Sequence, residues 1–254
     1  MAALEIELVP CLKDNYAYLI HDGDAGLTAV VDPSEPEPVR KALSAHGWKL
    51  THILNTHHHF DHTGGNIPLK EAFGAVVVGP EKDRDRIPGI DTGVDEQSGW
   101  TFGGRNVQVL EIPAHTRAHI AFVVDDAAFT GDTLFAMGCG RLFEGTPAMM
   151  WASLSKLMHL PDATRIFCGH EYTLNNGRFA LTLEPENAEL ISRMRKVEAA
   201  RAKNAPTIPS TIGLEKKTNP FLRPDSPDIR RSLGLREAGD VEVFAEMRRR
   251  KDSF

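Results

Sequence analysis

Ile53-Leu54-Asn55-Thr56-His57-His58-His59-Phe60-Asp61-His62 is the stretch on which the reading of this chain turns. Four imidazoles and a carboxylate fall within its last six residues, just after an apolar pair. Imidazole and carboxylate are common ligands of zinc, iron and manganese. In an extended segment alternate side chains point the same way. His57 and His59 can therefore grip one ion while His58 faces away. Asp61 and His62 lie past the next bend and can grip a second. The run is short, internal and interrupted by Phe60 and Asp61, which excludes an expression tag.

Working outward, four expected strands each lead to metal-competent residues. Thr51–Leu54 leads to His57 and His59. Val107–Ile112 leads to Pro113-Ala114-His115, and Ala127–Thr130 leads to Gly131-Asp132. Arg165–Cys168 leads to Gly169-His170. Loops held by rigid strand ends are where sites are usually built. Taken singly, His115 or His170 is more often a hydrogen-bonded loop histidine, and Asp132 a turn former beside Gly131. Together with the first cluster they make five histidines and two aspartates, a set that suits two ions.

Further strands are expected at Tyr16–Ile20, Thr28–Val31 and Ala75–Val78, the last from its β-branched run. Asp32-Pro33 ends the second of them. Pro38 to His46 reads as a helix stopped by Gly47, and Thr146-Pro147 caps another that runs to about Leu160. After Tyr172 the texture changes and no strand-like run remains. Glu184–Asn204 carries Leu190, Ile191, Met194 and Val197 at helical spacing. A Pro-rich connector, Pro206 to Pro227, follows. A final helix starts with Asp240 as N-cap and places Val241, Phe244 and Met247 on one face. The composition shift divides the chain into an α/β part, residues 1–172, and an all-helical part, residues 173–254.

The 254 residues can bury a sizeable core, and 41% hydrophobic with 25% charged residues is ordinary for a globular protein. A formal charge of −6 and a pI near 6.0 argue against nucleic acid as a partner. The three cysteines, Cys11, Cys139 and Cys168, are too few and scattered for a disulfide framework and suit a reducing compartment. Cys139 and Cys168 flank site residues but read as small buried packing groups. The N-terminus has acids and no basic n-region, and no apolar run reaches the length of a membrane span. The expectation is a cytoplasmic protein with no membrane partner.

In ligand type and order, His57-x-His59-x-Asp61-His62 followed by His115, Asp132 and His170 resembles the metallo-β-lactamase superfamily. That resemblance implies a four-layer αβ/βα sandwich with a C-terminal all-helical domain. It implies His57, His59 and His115 on one metal and Asp61, His62 and His170 on the other, with Asp132 bridging. Zn2+ is expected, with iron or manganese as alternatives, because mixed His/Asp sites accept all three.

The superfamily hosts many reactions, so fold alone does not give function. Gly138–Thr146, Gly169-His170-Glu171-Tyr172-Thr173, Pro209–Arg223 and Arg248-Arg249-Arg250-Lys251-Asp252 are similar to segments of the glyoxalase II (hydroxyacylglutathione hydrolase) family. This resemblance covers nearly the whole chain, from Asp14-Asn15-Tyr16 to Lys251. It implies hydrolysis of the thioester S-D-lactoylglutathione to glutathione and D-lactate, the second step of methylglyoxal detoxification. It further implies catalytic roles for Asp61 and Asp132, and contacts to glutathione from Arg141, Tyr172, Arg248 and Lys251 of a monomer. The sequence departs from the family at Ala118, where relatives usually carry glycine, at Phe143, where many carry tyrosine, and at Arg141, where lysine is common. Other superfamily activities are the alternatives: a persulfide dioxygenase, a lactamase, or a non-catalytic metal- or RNA-binding member. The helical tail argues against the first two. Intact ligands and the net negative charge argue against the last.

Overall fold

The computed structural model describes residues 2–254, and Met1 lies outside the described residues. The chain divides into two compact units. The first comprises Met1–Glu111 with Ala118–Gly131, and the second Ile112–Arg117 with Asp132–Phe254.

The first unit contains β1 (Glu5–Cys11), β2 (Asn15–Asp22), β3 (Leu27–Val31), α1 (Pro36–His46), β4 (His52–Leu54), α2 (Phe60–Thr63) and α3 (Asn66–Phe73). It continues with β5 (Val76–Pro80), a 3-10 turn (Glu81–Asp83), β6 (Thr92–Val94), β7 (Thr101–Phe102) and β8 (Arg105–Asn106). It ends with β9 (Gln108–Glu111), β10 (Ile120–Val124) and β11 (Ala127–Gly131). A six-stranded sheet runs in the order β1-β2-β3-β4-β5-β6. Its first three strands form an antiparallel meander, and β3 to β6 pair in parallel.

The parallel half explains the continuous apolar runs of the sequence. Strands covered on both faces need no polar alternation. On one face Val30, Ile53 and Val77 pack with Val39 and Leu43 of α1 and Leu69 of α3. On the other, Tyr18 of β2 meets Phe129 of β11 with ring centroids 5.7 Å apart. β10 pairs antiparallel with both β9 and β11. The parallel register sets Val31 opposite Leu54, so β3 and β4 end side by side. Asp32 and the Asn55–His62 loop therefore leave the sheet at the same edge, where open α/β sheets carry their ligands.

The second unit contains β12 (Leu134–Phe135), β13 (Gly138–Cys139), α4 (Pro147–Met158), β14 (Arg165–Cys168), α5 (Thr173–Leu183) and α6 (Ala188–Arg201). Then come β15 (Ser210–Thr211), α7 (Ile212–Thr218), a 3-10 turn (Pro220–Leu222), α8 (Pro227–Leu233) and α9 (Asp240–Asp252). Thr146 caps α4 as expected, its hydroxyl accepting from Met149 N–H at 3.3 Å, with Pro147 in the first turn. Phe221 stacks on Phe179 and meets Phe244 edge-on. Each of these buried rings is worth about 1.5–3 kcal/mol of transfer free energy.

The C-terminal stretch differs from expectation in four places. Ser210–Thr211 is a short strand paired antiparallel with β14, too brief to show alternation. The stretch read as a connector holds α7, whose N-cap Thr211 accepts from Leu214 N–H. The helix expected from Glu184 starts at Ala188, because the Asn187 side chain caps it, and α5 precedes it. The N-cap of α9 is Gly239, and Asp240 is its first helical residue, where its charge favours the helix dipole. Among the described residues no helix is long and apolar enough to cross a membrane.

Candidate metal centre

In the first unit Asp32 organises the histidine cluster. It sits 2% exposed just past β3, with a left-handed backbone (φ 48°). Its Oδ1 accepts from Thr56 N–H at 2.8 Å and its Oδ2 from Thr56 Oγ1 at 2.6 Å. The hydroxyl proton is thus committed to Asp32, so Thr56 Oγ1 accepts from His57 Nδ1 at 3.0 Å. Asp32 Oδ2 also accepts from His62 Nδ1 at 3.1 Å. Each bond puts the ring proton on Nδ1, and the lone pair is left on Nε2 of both His57 and His62. Asp32, His57 and His62 form a buried group whose ligand-type atoms lie within 4.8 Å of one another.

The other members of the cluster follow from the turn. His59 meets the His57 ring edge-on at 4.8 Å, and α2 carries Asp61 and His62. Asp61 is held by Asn15, whose Nδ2 donates to its Oδ2 and its carbonyl, each at 3.0 Å. Its Oδ2 stands 3.7 Å from His62 Nε2. His58 turns to Asp83 instead, with Nδ1 at 3.0 Å from Oδ2. His119 stacks on His57 at 4.5 Å and donates from Nδ1 to the Ile120 carbonyl. A Cβ at Gly131 would lie 2.3 Å from Thr56 Oγ1 and 2.8 Å from the His119 ring, so glycine is required there.

The second unit gathers His115, Asp132 and His170. All three are nearly buried, at 4%, 6% and 4% exposure. Thr133 Oγ1 donates to the Ile112 carbonyl at 3.2 Å, which ties the His115 loop to the residue after Asp132. His115 Nδ1 donates to the Arg141 carbonyl at 2.9 Å, so its Nε2 carries the lone pair. That nitrogen faces Asp132 Oδ2 at 3.5 Å, and His170 Nε2 faces the same oxygen at 3.3 Å.

A lone-pair nitrogen facing a carboxylate oxygen is repulsive unless a cation lies between them. Zinc bound at 2.0–2.2 Å by tetrahedral ligands gives ligand–ligand edges of about 3.3–3.6 Å. The His115–Asp132 and His170–Asp132 separations fall in that range, so these donors fit a divalent ion. The buried His/Asp clusters suit a binuclear metal centre.

Around the second set lie the groups expected to touch substrate. Tyr172 stacks on His170 at 4.6 Å, and Phe143 meets His115 edge-on at 5.2 Å. Phe143 is 62% exposed. Lys251 Nζ lies over the rings of Phe179 and Phe254, at 5.7 and 5.2 Å. Burial, with the nearby charges of Arg248 and Arg141, pulls its pKa down to about 8. Arg141 reaches Asp252 at 3.8 Å. Arg248 is buried: it donates to the Cys139 carbonyl at 2.8 Å, pairs with Asp252 at 2.9 Å and covers the Phe221 ring. Burial pushes the Cys139 and Cys168 thiols up to about 11 and about 12, so neither supplies a thiolate nucleophile near neutral pH.

The family model described as "Metallo-beta-lactamase superfamily" matches residues 13–170, and the one described as "Hydroxyacylglutathione hydrolase C-terminus" matches residues 171–254. A hydroxyacylglutathione hydrolase from Methylococcus capsulatus is 54% identical over 253 residues, 99% of each chain. One from Maricaulis maris is 52% identical over 256 residues, 100% of each chain. The chain belongs to the hydroxyacylglutathione hydrolase (glyoxalase II) family of the metallo-β-lactamase superfamily. Its fold is the metallo-β-lactamase fold with a helical C-terminal region. The crystal structure of ETHE1 from Myxococcus xanthus is similar to it with a TM-score of 0.69 and 25% identity, over 98% of this chain and 90% of that one.

For a member of this family, Asp32 is the site residue that the sequence did not reveal. It read only as a strand stop before Pro33. The available signal was an ionisable residue directly after a buried strand that is parallel to the strand feeding the histidines.

Proposed function

We propose that the chain hydrolyses S-D-lactoylglutathione and related S-(2-hydroxyacyl)glutathiones to glutathione and a 2-hydroxy acid, the second step of methylglyoxal detoxification. One observation carries this reading. Relatives that are 54% and 52% identical from end to end are hydroxyacylglutathione hydrolases, and the similarity includes the helical stretch 171–254. We assign residues 1–172 to metal binding and catalysis and residues 173–254 to glutathione binding, in a monomer.

His57, His59 and His115 are the proposed ligands of one ion, and Asp61, His62 and His170 of the other, with Asp132 bridging. The Nδ1–H bonds made by His57, His62 and His115 support this set, because they fix the tautomer that offers Nε2. Zn2+ pairs well with such a donor set, and iron or manganese are also accommodated. Bound there, the two ions would polarise the thioester carbonyl and lower the pKa of water from 15.7 to about 7.

The chain's own groups do the rest. Asp61 and Asp132 set the charge of the centre, and Asn15 fixes the orientation of Asp61. Arg141 and Lys251 offer positive charge to the glutathione carboxylates, and Tyr172 offers a flat face beside His170. The leaving thiol has a pKa near 8.5, so it departs with little help from an acid. No separate acid or nucleophile is needed, which agrees with the inert thiols of Cys139 and Cys168.

The test is a thioester assay and metal analysis on one preparation. Hydrolysis of S-D-lactoylglutathione that is lost on chelation and restored by a divalent ion is the expected result. Metal-loaded, folded protein that leaves the thioester intact would overturn the proposal.

A further inference from the structure

The stretch Pro209–Arg223 contains a buried polar network that the proposed chemistry does not use. Glu215 on α7 and Asn219 just after it are both 0% exposed. Glu215 Oε1 accepts from Arg193 Nη2 of α6 at 2.6 Å and from the Ser210 hydroxyl. Arg193 also donates to Thr218 Oγ1 at 2.6 Å. The other carboxylate oxygen points elsewhere. Glu215 Oε2 accepts from Met137 N–H at 2.8 Å and from Asn219 Nδ2 at 3.1 Å. Asn219 Nδ2 in turn donates to the carbonyls of Phe135 and Gly138, at 3.1 and 3.0 Å.

Those three backbone groups belong to the small hairpin of β12 and β13. Met137 at its tip holds a left-handed backbone (φ 55°), a conformation most non-glycine residues avoid. The hairpin is the direct continuation of Asp132. Gly140 N–H donates to the Thr133 carbonyl at 3.2 Å, and a Cβ on Gly140 would lie 1.9 Å from the Asp132 carbonyl oxygen. The Phe135 ring meets the rings of His170 at 6.0 Å and Tyr172 at 5.3 Å. The Cys139 carbonyl receives Arg248. One hairpin thus touches Asp132, His170, Tyr172 and Arg248, and its strained tip is fixed by a carboxylate about eighty residues away in sequence.

We propose that Glu215, paired with Arg193 and assisted by Asn219, is a positioning residue that sets the Asp132 and His170 side chains through the β12–β13 hairpin. Neither Glu215 nor Asn219 touches the metal donors. A core ion pair serving packing alone could be satisfied within α6, α7 and Ser210. Here one carboxylate oxygen is turned to the strained Met137 amide and to Asn219, which holds the same hairpin. The inference rests on the hydrolytic reading of Asp132 and His170, and its test is chosen so that the two can fail separately.

Asn219→Ala decides the matter, because it leaves the Glu215–Arg193 pair intact and frees the two hairpin carbonyls, along with one bond to Glu215 Oε2 and the cap on Phe221 N–H. Expected for the folded variant are faster amide exchange at Met137, a kcat reduced about tenfold, and a KM for S-D-lactoylglutathione within about twofold of the parent. Metal loss to a chelator should be roughly tenfold faster, the low end of what indirect support of ligands is worth. Glu215→Gln should show the same pattern and exceed it. Wild-type kcat and metal retention in an Asn219→Ala variant whose Met137 amide exchanges faster would overturn the proposal. If the parent protein hydrolyses no thioester but Asn219→Ala still sheds metal faster, the hydrolytic reading falls and the positioning role stands.

Discussion

The two donor sets are held in place by different chemistry. In the first unit a single anion, Asp32, gathers the Nδ1 sides of His57 and His62, one of them through Thr56. Its residues leave adjacent ends of β3 and β4, so sheet register brings them together. In the second unit His115 leans on a neutral backbone carbonyl. Asp132 there faces two imidazole nitrogens, and the hairpin after it depends on α6 and α7. A carboxylate partner raises the basicity of a ligating imidazole more than a carbonyl does. The contiguous set is therefore tuned electrostatically from one point, while the dispersed set is tuned by where its loop is fixed.

The strongest test of that contrast is Asp132→Ala. Its carboxylate is the one oxygen donor shared by His115 and His170, so turnover and most bound metal should be lost, as read by assay and metal analysis. Asp132→Asn should also be severe, because an amide supplies no negative charge. Near-normal metal content with normal turnover would break the idea of a shared carboxylate.

Asp32→Asn ranks next. The amide can keep the shape, but it cannot accept from His57 (through Thr56) and His62 as an anion does. Metal affinity should fall about 10- to 100-fold in a chelator competition. Arg141→Ala supplies the contrast, because His115 bonds to the backbone of residue 141, so that variant should leave metal affinity unchanged. Equal effects of the two substitutions would erase the difference between anionic and carbonyl support.

The same contrast explains what could be read from the sequence. The contiguous set was legible because seven neighbouring residues carry it. β14 was found end to end and β11 to within one residue, since burial leaves them largely apolar. β1 was missed: Glu5, Glu7 and Pro10 give it a polar, half-exposed texture. The Glu215–Met137 and Asn219–Phe135 bonds join residues far apart in sequence, and no periodicity signals such a pairing. Arg248 and Lys251 looked equivalent at three residues' spacing. Burial separates them, since Arg248 is committed to Cys139 and Asp252 while Lys251 has an ammonium between two rings.

That separation gives a prediction of intermediate size. Lys251→Ala should lower kcat/KM for the glutathione thioester about tenfold, mostly through KM, since a charge-assisted bond is worth about 1.5–3 kcal/mol. Lys251 is depressed to about 8, so it is charged below that pH and neutral above it. The advantage of the parent over Lys251→Ala should therefore be full below pH 8 and fade as pH rises beyond it. A neutral thioester without the glutathione carboxylates should show neither effect. An advantage that persists at high pH would show that Lys251 acts by packing against Phe179 and Phe254 and not by charge.

The smallest expected effect falls in the middle of the contiguous set. His57, His58 and His59 are neighbours, yet only His58 turns toward Asp83. Asp83 is 2% exposed, so losing all its partners would be costly. It has others: Arg86 Nε donates to its Oδ1 at 2.9 Å. Removing the imidazole therefore does not strand a buried charge. His58→Ala should keep its metal and hold kcat/KM within about threefold, a change below 1 kcal/mol. His57→Ala and His59→Ala should each lose metal in the same chelator assay. The support that His58 and Asp83 give the loop sets how far the His58→Ala effect can rise, since such indirect support can reach about tenfold or more. Metal loss from His58→Ala as complete as from its two neighbours would mean that the alternation of side chains does not sort ligands from non-ligands here, and that the first set is held as one block.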